Sequence, residues 1–255
     1  MILGTLAMAA GSTVEAQNTP ALTVAAAADL QPVLHSIGEE FRRQSGARVE
    51  FVFGSSGNLQ TQIENGAPFD VFLSADRGHA EHVISAGKAA RGDEKTYAIG
   101  KLVVWTPAGS KLDFSKSGLK TLLGSEVKAV AIANPAHAPY GQAAVAALQH
   151  EGLYDQVKAK LVLGENVAQA AQFASTGNAQ AAMIAMALAQ SPQLARAGNT
   201  WEVPASDYPP IEQVMVPLSG SRNPALARMF AEFMLSAPAQ QVLRQFGFAP
   251  PESSR

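Results

Sequence analysis

Residues 51–63, FVFGSSGNLQTQI, constrain the fold more than any other stretch: alternating apolar residues run into Gly54-Ser55-Ser56-Gly57 and then into a helical stripe at Leu59 and Ile63. That order is strand, tight turn, helix N-terminus. The first turn of a helix leaves N–H groups without intrahelical acceptors and carries the positive end of the dipole, so a glycine and serine turn there favours an anion. Serine is equally the ordinary helix N-cap, and for Ser55 and Ser56 both readings stand at this point. A matching element lies upstream, where 22–28 (LTVAAAA) reads as a strand and Asp29 opens a helix through Leu30, Leu34, Ile37 and Phe41. The two helix starts are expected to face one point.

With the strand at 70–73 (DVFL), the first part of the chain reads β-α-β-α-β, which implies a parallel sheet with helices on its faces. Further strands are expected at 101–106, 129–133, 161–163, 181–187, 201–203 and 213–218, and helices at 140–151, 165–175, 224–235 and 238–246. The alanines of 181–187 make helix a competitor there, and Pro217 suggests that 213–218 is an edge strand or ends at the proline.

The 255 residues suffice for one large or two modest domains. A formal charge of −2 without a basic run argues against a nucleic-acid partner. The absence of cysteine excludes disulfides and thiolate chemistry. Residues 1–16 hold an apolar run that ends in Val14-Glu15-Ala16, a small-x-Ala pattern, and read as a signal peptide cut after Ala16. No other stretch approaches the roughly 18–20 apolar residues of a membrane span.

Several catalytic patterns do not hold up. There is no GxxxxGK phosphate loop. The GSSG turn is one residue short of the G-x-S-x-G elbow and no histidine stands at a strand end, which disfavours a serine hydrolase built on Ser55 or Ser56. Asp76, His79 and His82 recur at helical spacing, yet Arg77, Glu81 and the alanines around them describe a wet helix surface, and no metal site is assigned. His137, in NPAHAP, reads as a turn residue.

Taken in order, VAAAADL, FGSSGNLQTQIENGAPFDVFLSAD, NPAHAPYG, GENVAQA and the closing RQFGF resemble the periplasmic molybdate-binding proteins of ABC importers, the ModA family, over nearly the whole chain after residue 16. The resemblance implies an α/β, two-lobe type II periplasmic binding protein, each lobe a mostly parallel sheet flanked by helices, with the ligand cleft between lobes. Lobe I would comprise 21–98 plus 215–255 and lobe II 99–214, with two hinge crossings near 99–101 and 211–214. It implies a non-enzymatic, periplasmic, monomeric receptor without a cofactor that binds molybdate or tungstate and delivers it to an ABC importer membrane permease. A receptor for phosphate or sulfate is the alternative.

The family's binding positions fall at Ala28 and Asp29, a Ser or Asn in relatives; at Ser56, a hydroxyl donor; at Tyr140, a phenol donor; and at Val167, a backbone N–H donor. Ala185 stands where some members carry a second-lobe tyrosine, so the chain resembles the subgroup whose tyrosine is at Tyr140. None of these loops holds Lys or Arg, which suits an oxyanion without a proton that needs only neutral donors. Asp29 fits poorly beside a dianion. Either its side chain caps its own helix while its backbone N–H meets the ligand, or it accepts a proton carried by the ligand, as a hydrogen phosphate would offer.

Overall fold

The structure, a computed structural model, describes residues 21–251; the expected signal peptide at 1–16 lies outside them. The chain begins β1 (Ala21–Ala27), α1 (Gln31–Ser45), β2 (Arg48–Gly54), α2 (Ser56–Glu64), β3 (Val71–Ser74), α3 (Arg77–Ser85) and β4 (Lys95–Gly100). It continues through β5 (Leu102–Pro107), α4 (Phe114–Ser117), β6 (Val130–Ala133), α5 (Pro139–His150), α6 (Tyr154–Val157), β7 (Leu161–Gly164) and α7 (Val167–Ser175). Then follow β8 (Ala181–Ala185), α8 (Met186–Ala189), α9 (Pro192–Ala197), β9 (Gly198–Glu202), β10 (Ile211–Pro217), α10 (Pro224–Met234) and α11 (Ala237–Gln245).

These strands form two sheets of five, ordered β2-β1-β3-β10-β4 and β7-β6-β8-β5-β9. In the first, β1 pairs in parallel with β2 and β3, while β10 runs antiparallel to both β3 and β4. In the second, β6 pairs in parallel with β7 and β8, and β5 is the reversed strand. Each sheet is therefore mixed, with four strands one way and one the other. The chain crosses between sheets at Lys101 and again between Glu202 and Ile211, and the closing helices α10 and α11 return to pack on α1 and β10. Ile211–Pro217 lies wholly in the first sheet.

The structure decides between local alternatives at two places and adds one strand. β4 is a strand that the polar start of KTYAIG concealed, and its Tyr97 is wholly buried. β10 is not an edge strand: Pro217 is its last residue, opposite Val71, so the missing N–H falls where the ladder ends. Segment 181–187 splits into strand β8 and the start of α8, so both competing tendencies are expressed.

The first sheet buries Leu22, Val24, Ile37, Phe41 and Phe230, and the second buries Trp105, Ile132, Leu148 and Ile184. The alanines at the end of β1 explain how the two halves meet. Ala27, at the end of β1, and Ala28 and Ala75 beyond the strand ends pack into the core of the second sheet. Larger side chains there would hold the sheets apart, because close-packed interiors have no room for added methylenes.

Candidate functional site

A nearly closed cavity of only about 10 Å3 lies where those alanines meet the second sheet. It is far below the roughly 300–1,000 Å3 of a pocket for an organic ligand. Ala28, Asp29, Ser56, Tyr140 and Val167 all line it, so the structure brings together the five residues that the resemblance singled out. Ala185, buried at the end of β8, is not among the lining residues.

Helix starts build the lining. Ala28 opens a 3-10 turn directly after β1, Ser56 and Val167 are the first residues of α2 and α7, and Tyr140 is the second of α5. N–H groups at these positions have no intrahelical acceptor. Side-chain caps occupy the neighbouring donors: Ser55 Oγ accepts from Asn58 N at 3.4 Å, and Asn166 Oδ1 accepts from Ala168 N at 3.0 Å and Gln169 N at 3.1 Å. Both serines line the cavity, and Ser55 is in addition the helix cap, so the two readings of the turn coexist. Ser56 Oγ accepts from Ala75 N at 3.0 Å, which leaves the hydroxyl proton to donate. No Lys, Arg or His lines the cavity. Neutral donors at converging helix N-termini stabilise an anion whose oxygens are all acceptors.

Asp29 is wholly buried and does not cap a helix. Neither its 3-10 turn nor α1 carries a side-chain cap bond, because Ala27 and Leu30 occupy the cap positions. Instead Oδ2 accepts from Gln213 Nε2 at 2.9 Å, and Gln213 Oε1 accepts from the Tyr97 hydroxyl at 3.3 Å. Burial lifts the Asp29 pKa to about 7, against the pull of the neighbouring Tyr140 hydroxyl, of Gln213 and of nearby backbone N–H groups. Oδ1 is left without a hydrogen bond of ordinary geometry. Burial also pushes the phenols of Tyr97 and Tyr140 well up, so both remain neutral.

The sheets are clasped at the rim. His137 Nδ1 and Ser55 Oγ are 2.9 Å apart, Gly57 N donates to His137 O at 2.9 Å, and Asn58 Nδ2 donates to Glu165 Oε1 at 2.6 Å. His137 is therefore more than a turn residue, and it, Tyr97 and Gln213 are the site residues that the sequence did not reveal. For Gln213 a signal existed: a polar amide inside the apolar run QVMVPL needs a buried partner.

The Ser55–His137 pair is not a catalytic dyad. The serine oxygen is used as a helix cap, and among the described residues no carboxylate bonds to His137 to orient it as a base. Asp76 caps α3 and holds His79 at 2.7 Å. Among the described residues one trio, His150, Glu151 and Asp207, places ligand atoms within 4.8 Å of one another, but Asp207 Oδ1 is already taken by His150 and Ser206. A wider groove between α1 and the edge strand β2 carries both signs of charge, from Glu39, Arg42, Arg48 and Glu50, and belongs to the solvated face.

The sequence profile of the bacterial extracellular solute-binding proteins matches residues 22–249. The molybdate-binding protein ModA of Rhodobacter capsulatus is 37% identical over 224 residues, 88% of this chain and 86% of that protein. ModA of Azotobacter vinelandii is 36% identical over 244 residues, 95% of each. The fold superposes on the structure of the Azotobacter vinelandii periplasmic molybdate-binding protein with a TM-score of 0.85 and 33% identity, covering 91% of this chain and 100% of that one.

Proposed function

The chain belongs to the bacterial extracellular solute-binding protein family, and from that premise we propose that it captures molybdate, with tungstate as an equivalent ligand, and delivers it to the membrane permease of an ABC importer. It is a receptor and not an enzyme. The observation that carries this reading is the cavity itself, where helix starts from both sheets present neutral donors and no cation. In it, Ala28 and Val167 donate backbone N–H groups, Ser56 and Tyr140 donate hydroxyls, and Asp29 stands beside them. The two sheets belong to two lobes that close on the ion about the crossings at Lys101 and between Glu202 and Ile211, so the residues of β4 and β10 expected in the 99–214 lobe go with the other one. Because β10 is already part of the first sheet at Ile211, the second bend falls before that residue. The receptor works as a periplasmic monomer without a cofactor.

A thermal-shift panel of oxyanions tests the ligand. Molybdate at about 100 times its Kd is expected to add about 2.7 kcal/mol to stability, and each kcal/mol raises Tm by roughly 2–4 °C in a chain of this size. A shift with sulfate or phosphate and none with molybdate would make the ligand assignment wrong.

Ser56→Ala and Tyr140→Phe are expected to weaken molybdate binding by about 1.5–3 kcal/mol each, the range for a hydrogen bond to a charged group. Val167→Ala should change little, since its donor belongs to the main chain. Calorimetric titration of the three variants checks the roles, and equal losses at all three positions would contradict them.

A further inference from the structure

Resting on the receptor reading, the placement of Asp29 leads one step further. We propose that Asp29 meets the bound oxyanion as a neutral carboxylic acid, donating its proton from Oδ1 to a ligand oxygen, so that capture takes up one proton from solvent. The proton forms an O–H bond on Oδ1 as the ligand enters and returns to water when it leaves; no other bond is made or broken.

The hydrogen bonds around the carboxyl determine which oxygen carries the proton. The Tyr97 hydroxyl donates to Gln213 Oε1, which turns the amide so that Nε2 donates to Asp29 Oδ2. Oδ2 is then an acceptor, and the proton belongs on Oδ1, which is buried and makes no hydrogen bond of ordinary geometry, although the Tyr140 hydroxyl lies beside the carboxyl. No cation faces the carboxyl, and the neutral donors beside it, the Tyr140 hydroxyl, Gln213 and backbone N–H groups, do not offset its burial. The titratable groups that face Asp29 are two neutral phenols, Tyr97 from β4 and Tyr140 from α5. Helices α7 and α8, packed on the same 3-10 turn, contain no ionisable side chain, and β10 contributes Gln213. On α1 the first ionisable residue is His35, which is exposed. His137 is engaged with Ser55. An ionised carboxylate against a dianion would place like charges together in a site with little water. A neutral acid turns the same atom into one more donor, of the kind that Ser56 supplies.

The sign of the pH dependence follows. Burial already places the carboxyl pKa at about 7 in the closed cleft, and an adjacent anion raises it further. Below the pKa of the free protein Asp29 is protonated in both states and Kd is flat. Above it, binding must draw a proton, and Kd weakens by about tenfold per pH unit until the pKa of the complex is reached.

The test is calorimetric titration of the full chain with sodium molybdate at pH 6 and pH 8.5, in buffers of different ionisation heat. The expected result is uptake of close to one proton per molybdate at pH 8.5, falling off once the pH drops below the carboxyl pKa of the ligand-free protein, with a Kd at least about tenfold weaker at pH 8.5 than at pH 6. Asp29→Asn, which presents an N–H where the acid presents O–H, should abolish the uptake and bind more tightly than wild type at pH 8.5. Asp29→Ala should bind more weakly than wild type at pH 6. A pH-independent Kd without proton uptake in the wild type would overturn the proposal, whatever the variants do. So would a pH dependence that persists in Asp29→Asn, or hydrogen phosphate competing with molybdate in the wild type and not in Asp29→Asn. Failure of the wild type to bind molybdate at any pH would instead overturn the ligand assignment, and this proposal with it.

Discussion

Gly57→Ala is expected to weaken ligand binding by roughly 3 kcal/mol, on the order of 100-fold, while leaving the ligand-free protein as stable as before or more so. Gly57 is the second residue of α2, and a methyl group there would lie 2.8 Å from His137 Cβ, 2.9 Å from His137 O and 3.0 Å from His137 Cα. Two of those atoms are backbone, so the clash cannot be relieved by a rotamer change. Overpacking of this kind costs about 1–3 kcal/mol. Loss of the Gly57–His137 and Ser55–His137 hydrogen bonds adds roughly 0.5–1.5 kcal/mol each. The contact joins the two halves of the molecule, so under the proposed closure it forms only when they come together. With the lobes apart the methyl would meet nothing on the other side, and alanine is the better helix former by about 0.5–1 kcal/mol. Calorimetry and chemical denaturation separate the effects, and small-angle scattering should show the contraction on adding molybdate weakened or lost. A Gly57→Ala protein that binds as tightly as wild type would mean that the His137 loop is not part of closure.

What the chain revealed by itself follows the range of the interactions. The strand, turn and helix starts at 22–30 and 51–63 were legible because alternation, the alanine run and the glycine and serine turn are local patterns. The lining residues were legible through resemblance, since a backbone N–H such as that of Val167 leaves no mark on composition. The partners were not legible. Gln213 reaches Asp29 across 184 residues of sequence and His137 reaches Ser55 across 82. No periodicity specifies such pairs. Asp29 shows the consequence. An Asp before an apolar helical stripe ordinarily caps the helix, and only the buried amide from β10 reveals that this one does not. β4 escaped for a related reason: its lysine and threonine look like a loop until β10 returns, more than a hundred residues later, to pair with it.

Asp70→Ala is expected to destabilise the fold by about 3–5 kcal/mol and lower Tm by roughly 10 °C, with binding per folded molecule retained. The residue sits in FGSSGNLQTQIENGAPFDVFLSAD, one of the stretches that carry the family resemblance, yet it does not line the cavity. Its carboxylate, 7% exposed, ties three parts of the first sheet together. Oδ2 accepts from Thr23 N on β1 at 2.7 Å, and Oδ1 accepts from Ser221 Oγ at 2.6 Å and Arg222 N at 3.2 Å in the turn after β10. A hydrogen bond to a charged group contributes about 1.5–3 kcal/mol, and each donor stranded in the interior costs about 1–3 kcal/mol. The Ser221 hydroxyl can turn to another acceptor, whereas the two backbone donors cannot, which sets the lower end of the range. Asp70→Asn should fall between alanine and wild type, because one oxygen still accepts while the amide N–H₂ faces a donor at the other position. Denaturant melts read the stability, and a titration corrected for the folded fraction reads the binding. An Asp70→Ala protein with unchanged Tm would mean that the carboxylate does not hold these segments. A loss of affinity in fully folded protein would instead assign the segment to the site.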